Sequence, residues 1–88
     1  TKPVVIDFHA QWCGPCKSVS ASILTLAEEY EGRVVIGKVD VDINPELTLM
    51  FKVRNMPTVL YLKNGEVIDK HVGATTKLVL EEKLKAIL

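Results

Sequence analysis

Two cysteines, with two residues between them, lie in the segment Trp12-Cys13-Gly14-Pro15-Cys16-Lys17, and the chain has no others. Residues 4–8, just before this segment, form an apolar and β-branched run typical of a buried strand. Apolar residues at helical spacing follow it. A Cys-x-x-Cys where a strand gives way to a helix is typical of a thiol redox pair. The pattern therefore predicts that Cys13 and Cys16 interconvert between a dithiol and a disulfide.

The spacing gives the two sulfurs different roles. Cys13 is expected at the helix N-terminus, where unpaired N–H groups and the positive end of the helix dipole favour its thiolate. Cys16 is expected one turn deeper on the same side. We expect Cys13 to attack a substrate disulfide and Cys16 to resolve the mixed disulfide. Pro15 has no N–H to donate to the Cys13 thiolate, which favours a reductant over a strong oxidant.

The two cysteines have two other interpretations, a structural bridge and a zinc site. A structural bridge would close a loop of only four residues, for which chain entropy gives roughly 2 kcal/mol. A zinc site needs four ligands, and the remaining candidates, His9 and His71, have no zinc-finger spacing. We therefore expect no metal and no cofactor other than a Cys13–Cys16 redox disulfide.

Length and charge limit the remaining possibilities. The 88 residues predict one domain, 1–88, and the hydrophobic fraction of 48% supports a core without further cross-links. Eleven basic and eleven acidic residues give a net charge of zero, so no nucleic acid or anionic membrane is expected as a partner. No apolar run approaches the roughly 18 residues of a membrane span. A dithiol fits a reducing compartment best.

The pattern along the chain predicts the order βαβ-α-ββ-α. The predicted strands are 4–8, 33–40, 58–63 and 66–72, and the predicted helices are 13–31, 45–51 and 77–87. The first strand–helix–strand unit implies a right-handed parallel crossover. Asn44-Pro45-Glu46 predicts a helix start, and Thr76 predicts the cap of the last helix. Asn64-Gly65 predicts a hairpin turn, so the last two strands are expected to be antiparallel.

These elements predict the environment of side chains in two places. Met50 and Phe51, on the short middle helix, are expected in the core. Asp40 and Asp42 lack the spacing of a calcium loop and are expected to be solvated.

Four motifs follow one another along the chain. They are Asp7-Phe8-His9-Ala10-Gln11-Trp12-Cys13-Gly14-Pro15-Cys16-Lys17, then Lys38-Val39-Asp40-Val41-Asp42, then Met56-Pro57-Thr58, then Lys63-Asn64-Gly65-Glu66 with Val72-Gly73-Ala74. With them the chain resembles thioredoxins of the Cys-Gly-Pro-Cys type over nearly its whole length. The resemblance implies an α/β thioredoxin fold: a four-stranded mixed sheet, flanked by helices, in the order 33–40, 4–8, 58–63, 66–72. It also implies an enzyme that reduces protein disulfides and is recharged by thioredoxin reductase; we expect a monomer.

The chain departs from the usual thioredoxin pattern in three ways. Thioredoxins usually begin with an additional strand and helix, which this chain lacks, so strand 33–40 is expected to have a bare edge. His9 stands where many thioredoxins have tryptophan, and Ala21 stands where many have a helix proline. His9 in this motif is similar to mitochondrial thioredoxins. Because a dithiol fits a reducing compartment, we expect a cytoplasmic protein, and the likeness at His9 makes the mitochondrial matrix the alternative.

Asp7 interrupts an apolar run six residues before Cys13. From the residues alone, a buried acid/base with a raised pKa and an inert, hydrogen-bonded aspartate fit equally well. The resemblance implies the first: an acid/base that serves Cys16 through water. Lys38 is expected to be the charge partner of Asp7, the alternative being a solvated strand lysine.

Pro57 precedes a predicted strand, and an ordinary strand-entry proline would fit there. The resemblance implies instead a cis Met56–Pro57 bond, which would place Met56 backbone groups beside Cys13, free to pair with an extended substrate. Gly73 is expected to form the groove floor with Val72 and Ala74, or else to make a plain turn.

Trp12, the only tryptophan, is expected on the contact surface rather than in the core, because it precedes a helix next to Cys13. Gly14 and Pro15 complete the predicted substrate-binding set. The alternative function is a thioredoxin-fold binding module, or an engineered or truncated scaffold, with little redox activity. An oxidase or isomerase is a narrower alternative, and the Gly-Pro between the cysteines disfavours it.

Overall fold

The strand that leads into the cysteines lies inside a four-stranded sheet. The computed structural model describes residues 2–88; Thr1, the first residue of the predicted domain, lies outside them. The elements are β1 (Val4–His9), α1 (Gly14–Glu29), β2 (Val35–Asp40), α2 (Pro45–Met50), β3 (Thr58–Lys63), β4 (Glu66–Val72) and α3 (Lys77–Ile87). The sheet order is β2-β1-β3-β4. Strand β1 is parallel to β2 and antiparallel to β3, and β4 is antiparallel to β3. This confirms the predicted fold and strand order.

Strand β1 is apolar along most of its length because side chains from both of its faces are buried. Val5 faces a core built with α1 and α3, whereas Phe8 faces a second cluster that contains both cysteines. The apolar residues at helical spacing after the cysteines face the first core, since Val19, Ile23 and Leu26 are all buried there. The cysteines therefore pack against the central strand β1, and they lie at the start of a helix that is itself packed on the first core.

Helix α1 is shorter than predicted at both ends. It begins at Gly14 because Cys13 is its N-cap, and it ends at Glu29 with Tyr30 as C-cap. Gly32 then adopts a φ of +83°, in the left-handed region that ends helices readily. Strand β2 consequently begins at Val35, two residues later than predicted.

The prediction that Met50 lies in the core is wrong. Its side chain is 71% exposed, whereas Leu47 is partly buried and Phe51 packs its ring against Phe8 at 5.9 Å between centroids. Helix α2 has only six residues, so a narrow stripe suffices to hold it. Leu47 and Phe51, four positions apart, form that stripe, and Met50 falls outside it.

Within residues 2–88, β2 pairs only with β1, so its outer edge has no partner strand in this part of the chain. Val35 on that strand is about half exposed. Such an edge offers unpaired backbone groups to another chain.

Thr76 caps α3, as predicted: its hydroxyl accepts a hydrogen bond from the Val79 N–H at 3.3 Å. The cap fixes the start of the helix that buries Leu80, Leu84 and Ile87.

Thr76→Ala is expected to lower the free energy of unfolding by about 1 kcal/mol in urea titrations, because the Val79 N–H loses its side-chain acceptor. Thr75→Ala is the control, since no side-chain hydrogen bond of Thr75 is found within residues 2–88. Equal losses in the two variants would show that the cap contributes nothing.

Candidate redox site

Cys13 and Cys16 lie at the start of α1 and are joined by a disulfide, with their Cα atoms 5.4 Å apart. Cys13 is the helix N-cap, and its Sγ accepts a hydrogen bond from the Cys16 N–H at 3.2 Å. The predicted pairing and its place at a helix N-terminus are both confirmed. Cys16 lies in the first turn of the helix, behind Cys13.

This position favours negative charge on the Cys13 sulfur. The first N–H groups of a helix have no partner within the helix, and the dipole is positive at that end. Pro15, also in the first turn, contributes no N–H. A sulfur that caps a helix can therefore serve as nucleophile or leaving group in thiol–disulfide exchange.

Asp7 is fully buried on β1. The Ser20 hydroxyl donates a hydrogen bond of 2.6 Å to its Oδ2, while its Oδ1 is buried and has no hydrogen-bond partner within the described residues. Burial raises the pKa of the Asp7 carboxyl above its ordinary value. The Ser20 hydrogen bond, then the charge of His9, then that of Lys38, oppose the rise without reversing it.

Ser20 is the site residue that sequence reasoning missed. It lies four positions after Cys16, so both side chains are on one face of α1. That spacing was the available signal, but serines also stand at 18 and 22, and nothing in the sequence separates them.

Lys38, the predicted charge partner of Asp7, acts on that carboxyl through its charge and without an ion pair in residues 2–88. The two residues are opposite each other in the β1–β2 register, but the Lys38 side chain is exposed and no ion pair joins them in the described part of the chain. Its charge lowers the pKa of Asp7 by less than Ser20 or His9 does. The lysine keeps its ammonium group in water because the free-energy cost of burying that charge exceeds the attraction of a distant carboxyl.

An open groove of about 650 Å³ runs along α1 beside the disulfide. Cys16 and Ser20 line it together with Lys17, Lys38 and His9. Ser20 thus bridges the groove and the buried carboxyl of Asp7.

The Met56–Pro57 peptide bond is cis, which confirms the prediction. Met56 is partly buried against the cluster that contains both cysteines. The Gly73 N–H donates to the Pro57 carbonyl at 2.9 Å, which holds the segment after β4 beside the cis bond. Gly73 has a φ of +97°, and a Cβ there would meet no atom within 4 Å. Its glycine is thus required by backbone conformation and not by crowding within the chain.

Trp12 is 68% exposed, so it does not belong to the core. Its Nε1–H donates to Asp42 Oδ2 at 2.9 Å. Asp42 is exposed, as predicted for a solvated acid, and its carboxylate in addition holds the tryptophan beside Cys13. Asp40 is partly buried rather than solvated, and its Oδ1 accepts from the Asp42 N–H at 2.9 Å.

Four further residues of the predicted substrate surface are exposed, whereas Pro57 is buried. Gly14 and Pro15 are exposed between the cysteines, and Val72 and Ala74 are exposed on either side of Gly73. Trp12, Gly14 and Pro15 adjoin the cysteines in the chain, and the Gly73–Pro57 hydrogen bond ties the segment of Val72 and Ala74 to the cis bond.

Neither a metal-binding cluster nor a membrane-spanning helix is present in residues 2–88. No group of three or more His, Cys, Asp or Glu side chains is placed to hold a metal ion there. None of the helices described is both long and apolar enough to cross a bilayer.

Comparison with known proteins places this geometry in a family. A family model described as Thioredoxin matches residues 1–86. Mitochondrial thioredoxin of Bos taurus is 46% identical over 86 residues, which are 98% of this chain and 52% of that protein. Thioredoxin of Chlorobaculum thiosulfatiphilum is 42% identical over 83 residues, 94% of this chain and 77% of that protein. The chain thus spans about half the length of the mitochondrial relatives that it matches.

A solved structure agrees with these sequences. The germline-specific thioredoxin Deadhead of Drosophila melanogaster superposes with a TM-score of 0.91 at 37% sequence identity. The match covers 99% of this chain and 82% of the Drosophila chain. The fold, the cysteine pair at the helix start and the sequence matches agree, and this chain belongs to the thioredoxin family.

Proposed function

We propose that this protein is a thiol–disulfide oxidoreductase that reduces protein disulfides through Cys13 and Cys16. The observation that carries the proposal is the Cys13–Cys16 disulfide at the N-terminus of α1, with Cys13 as the cap. A bridge this short does little to stabilise a fold, whereas its position suits exchange chemistry. Within a single domain, it would carry electrons from a reductase to substrates.

The reaction proceeds in two exchanges. In the first, the Cys13 thiolate attacks one sulfur of the substrate disulfide, and the other substrate sulfur leaves as a thiolate. In the second, the Cys16 thiol loses its proton and attacks Cys13 Sγ, which forms the Cys13–Cys16 disulfide and releases the second substrate thiolate. Two electrons pass from the dithiol to the substrate.

Asp7 is proposed as the base that takes the Cys16 proton, through water. Its burial and raised pKa support this role, because a carboxyl of raised pKa exchanges protons at a pH closer to neutral. Lys38 contributes through its charge alone.

The substrate is proposed to bind across the end of the molecule formed by Trp12, Met56 and Gly73, with their neighbours Gly14, Pro15, Pro57, Val72 and Ala74. An extended segment around the substrate disulfide would pair with Met56 backbone groups in the manner of an added strand. The exposure of Trp12 supports this arrangement, since a large aromatic side chain in water is typical of a contact surface.

The proposed partners are protein disulfides and thioredoxin reductase, with the protein acting as a monomer that binds neither nucleic acid nor membrane. The balanced charge supports the last two points. The cytoplasm is the proposed location. The identity of 46% to a mitochondrial thioredoxin keeps the mitochondrial matrix as the alternative.

Reduction of insulin by dithiothreitol tests the proposal. The protein is expected to accelerate precipitation of the insulin B chain, and the double variant Cys13→Ser, Cys16→Ser is expected to leave the rate at that of dithiothreitol alone. A wild-type rate no higher than that of the double variant would favour the binding module. The redox potential separates the remaining alternative, since a potential near that of strong oxidants would indicate an oxidase.

A further inference from the structure

The Ser20 hydroxyl connects the buried carboxyl of Asp7 to the side of α1 that carries Cys16. Its hydrogen bond to Asp7 Oδ2 is 2.6 Å long and joins residues 13 positions apart. Ser20 is partly buried and lines the groove that Cys16 also lines. Cys16 and Ser20 are one helical turn apart, so their side chains lie on the same face of α1.

The two oxygens of Asp7 have different environments. Oδ2 accepts the short Ser20 hydrogen bond, whereas Oδ1 is buried without a partner within the described residues. An oxygen whose lone pair already accepts a short hydrogen bond from a hydroxyl is the weaker of the two proton acceptors. Oδ1 is therefore the stronger proton acceptor of the two oxygens.

We propose that Ser20 is a positioning residue of the redox site, whose hydroxyl fixes Asp7 through Oδ2 and directs the Cys16 proton to Oδ1. This inference rests on the proposed function, in which Asp7 is the base for Cys16. In the step concerned, the Cys16 S–H bond breaks, its proton passes through water to Oδ1, and the S–S bond to Cys13 forms as the substrate thiolate leaves. Asp7 then loses the proton to solvent, so no additional oxidant or reductant is needed.

Among the side chains of residues 2–88, Ser20 is the one that donates a hydrogen bond to the Asp7 carboxyl. His9 on the same strand and Lys38 on β2 act through charge, and no hydrogen bond joins either of them to Asp7 in residues 2–88. Strand β3 places apolar Val59 opposite Asp7, and the Tyr61 hydroxyl donates instead to the Leu80 carbonyl. On α1, Lys17 faces the groove and the cysteines form the disulfide.

The test compares Ser20→Ala with Ser18→Ala, the same change at an exposed serine of the same helix, and with Ser20→Thr, which keeps a hydroxyl. Two quantities are measured in each variant. One is the pH midpoint of the Asp7 carboxyl carbon resonance. The other is the pH profile for release of reduced substrate from the Cys13 mixed disulfide.

Ser20→Ala is expected to move both midpoints to higher pH, because the ionised carboxylate loses its donor. Ser18→Ala is expected to leave both at the wild-type pH, and Ser20→Thr to return both toward it. Unmoved midpoints in Ser20→Ala overturn the inference, as does slower release with an unmoved Asp7 midpoint. Asp7→Asn separates a failure of the proposed role of Asp7 from a failure of the proposed role of Ser20. If Asp7→Asn releases substrate at the wild-type rate, the role of Asp7 as base is wrong. If Asp7→Asn releases substrate slowly and Ser20→Ala behaves as wild type, only the role of Ser20 is wrong.

Discussion

Cys16→Ser is expected to accumulate a mixed disulfide between Cys13 and its substrate, whereas Cys13→Ser is expected to accumulate none. Cys13 caps the helix, where developing negative charge on sulfur is favoured, and Cys16 lies in the turn behind it. Without the Cys16 thiol, the mixed disulfide has no internal nucleophile to resolve it. Both variants are expected to lose catalytic turnover.

Non-reducing electrophoresis with mass spectrometry of the adduct measures the difference. Exposure alone does not decide it, because in the disulfide form Cys13 is 5% and Cys16 2% exposed. The assignment therefore depends on the helix position, and equal trapping by the two variants would reverse it. The double variant, with neither sulfur, is the control for noncovalent association.

Asp7→Asn and Asp7→Ala are expected to make the oxidised protein more stable at neutral pH. Burial raises the pKa of Asp7 in the folded state, so folded protein binds more protons than unfolded protein between the two pKa values. The free energy of unfolding therefore falls as pH rises through that window and stays lower above it. The loss is about 1.4 kcal/mol for each unit by which the folded pKa exceeds the unfolded one.

Unfolding curves of wild type and variants over a range of pH measure this effect. The difference in stability is expected to vanish below the unfolded pKa, where Asp7 is protonated in both states. At neutral pH the same variants are expected to slow release of reduced substrate by about 10²-fold or more, the usual contribution of a general base. A variant that is less stable and fully active would show that Asp7 is only a structural hydrogen-bonder.

The order of the elements was predictable because strong local signals mark their ends. Asn44 and Pro45 begin α2, Thr76 caps α3, and Asn64 with Gly65 turns the hairpin. The cysteine spacing likewise placed the disulfide at a helix start without any knowledge of packing.

The details that sequence reasoning missed depend on contacts between distant parts of the chain. Ser20 resembles its helix neighbours Ser18 and Ser22, and only the packing of α1 on β1 turns its hydroxyl toward Asp7. Asp42 gains its role from an indole 30 positions away. Periodicity also could not fix the rotation of a helix as short as α2, which is why Met50 was misplaced.

The hydrogen bond to Asp42 holds Trp12 beside the disulfide, so the tryptophan fluorescence of this protein reports on that region. Because Trp12 is the only tryptophan, its emission comes from the exposed surface beside the disulfide, called here the rim, and not from either core cluster. Circular dichroism at 222 nm, by contrast, follows α1 and α3. Coincident unfolding transitions by the two signals would indicate that the rim melts together with the helices, and an earlier fluorescence transition would indicate that it loosens first.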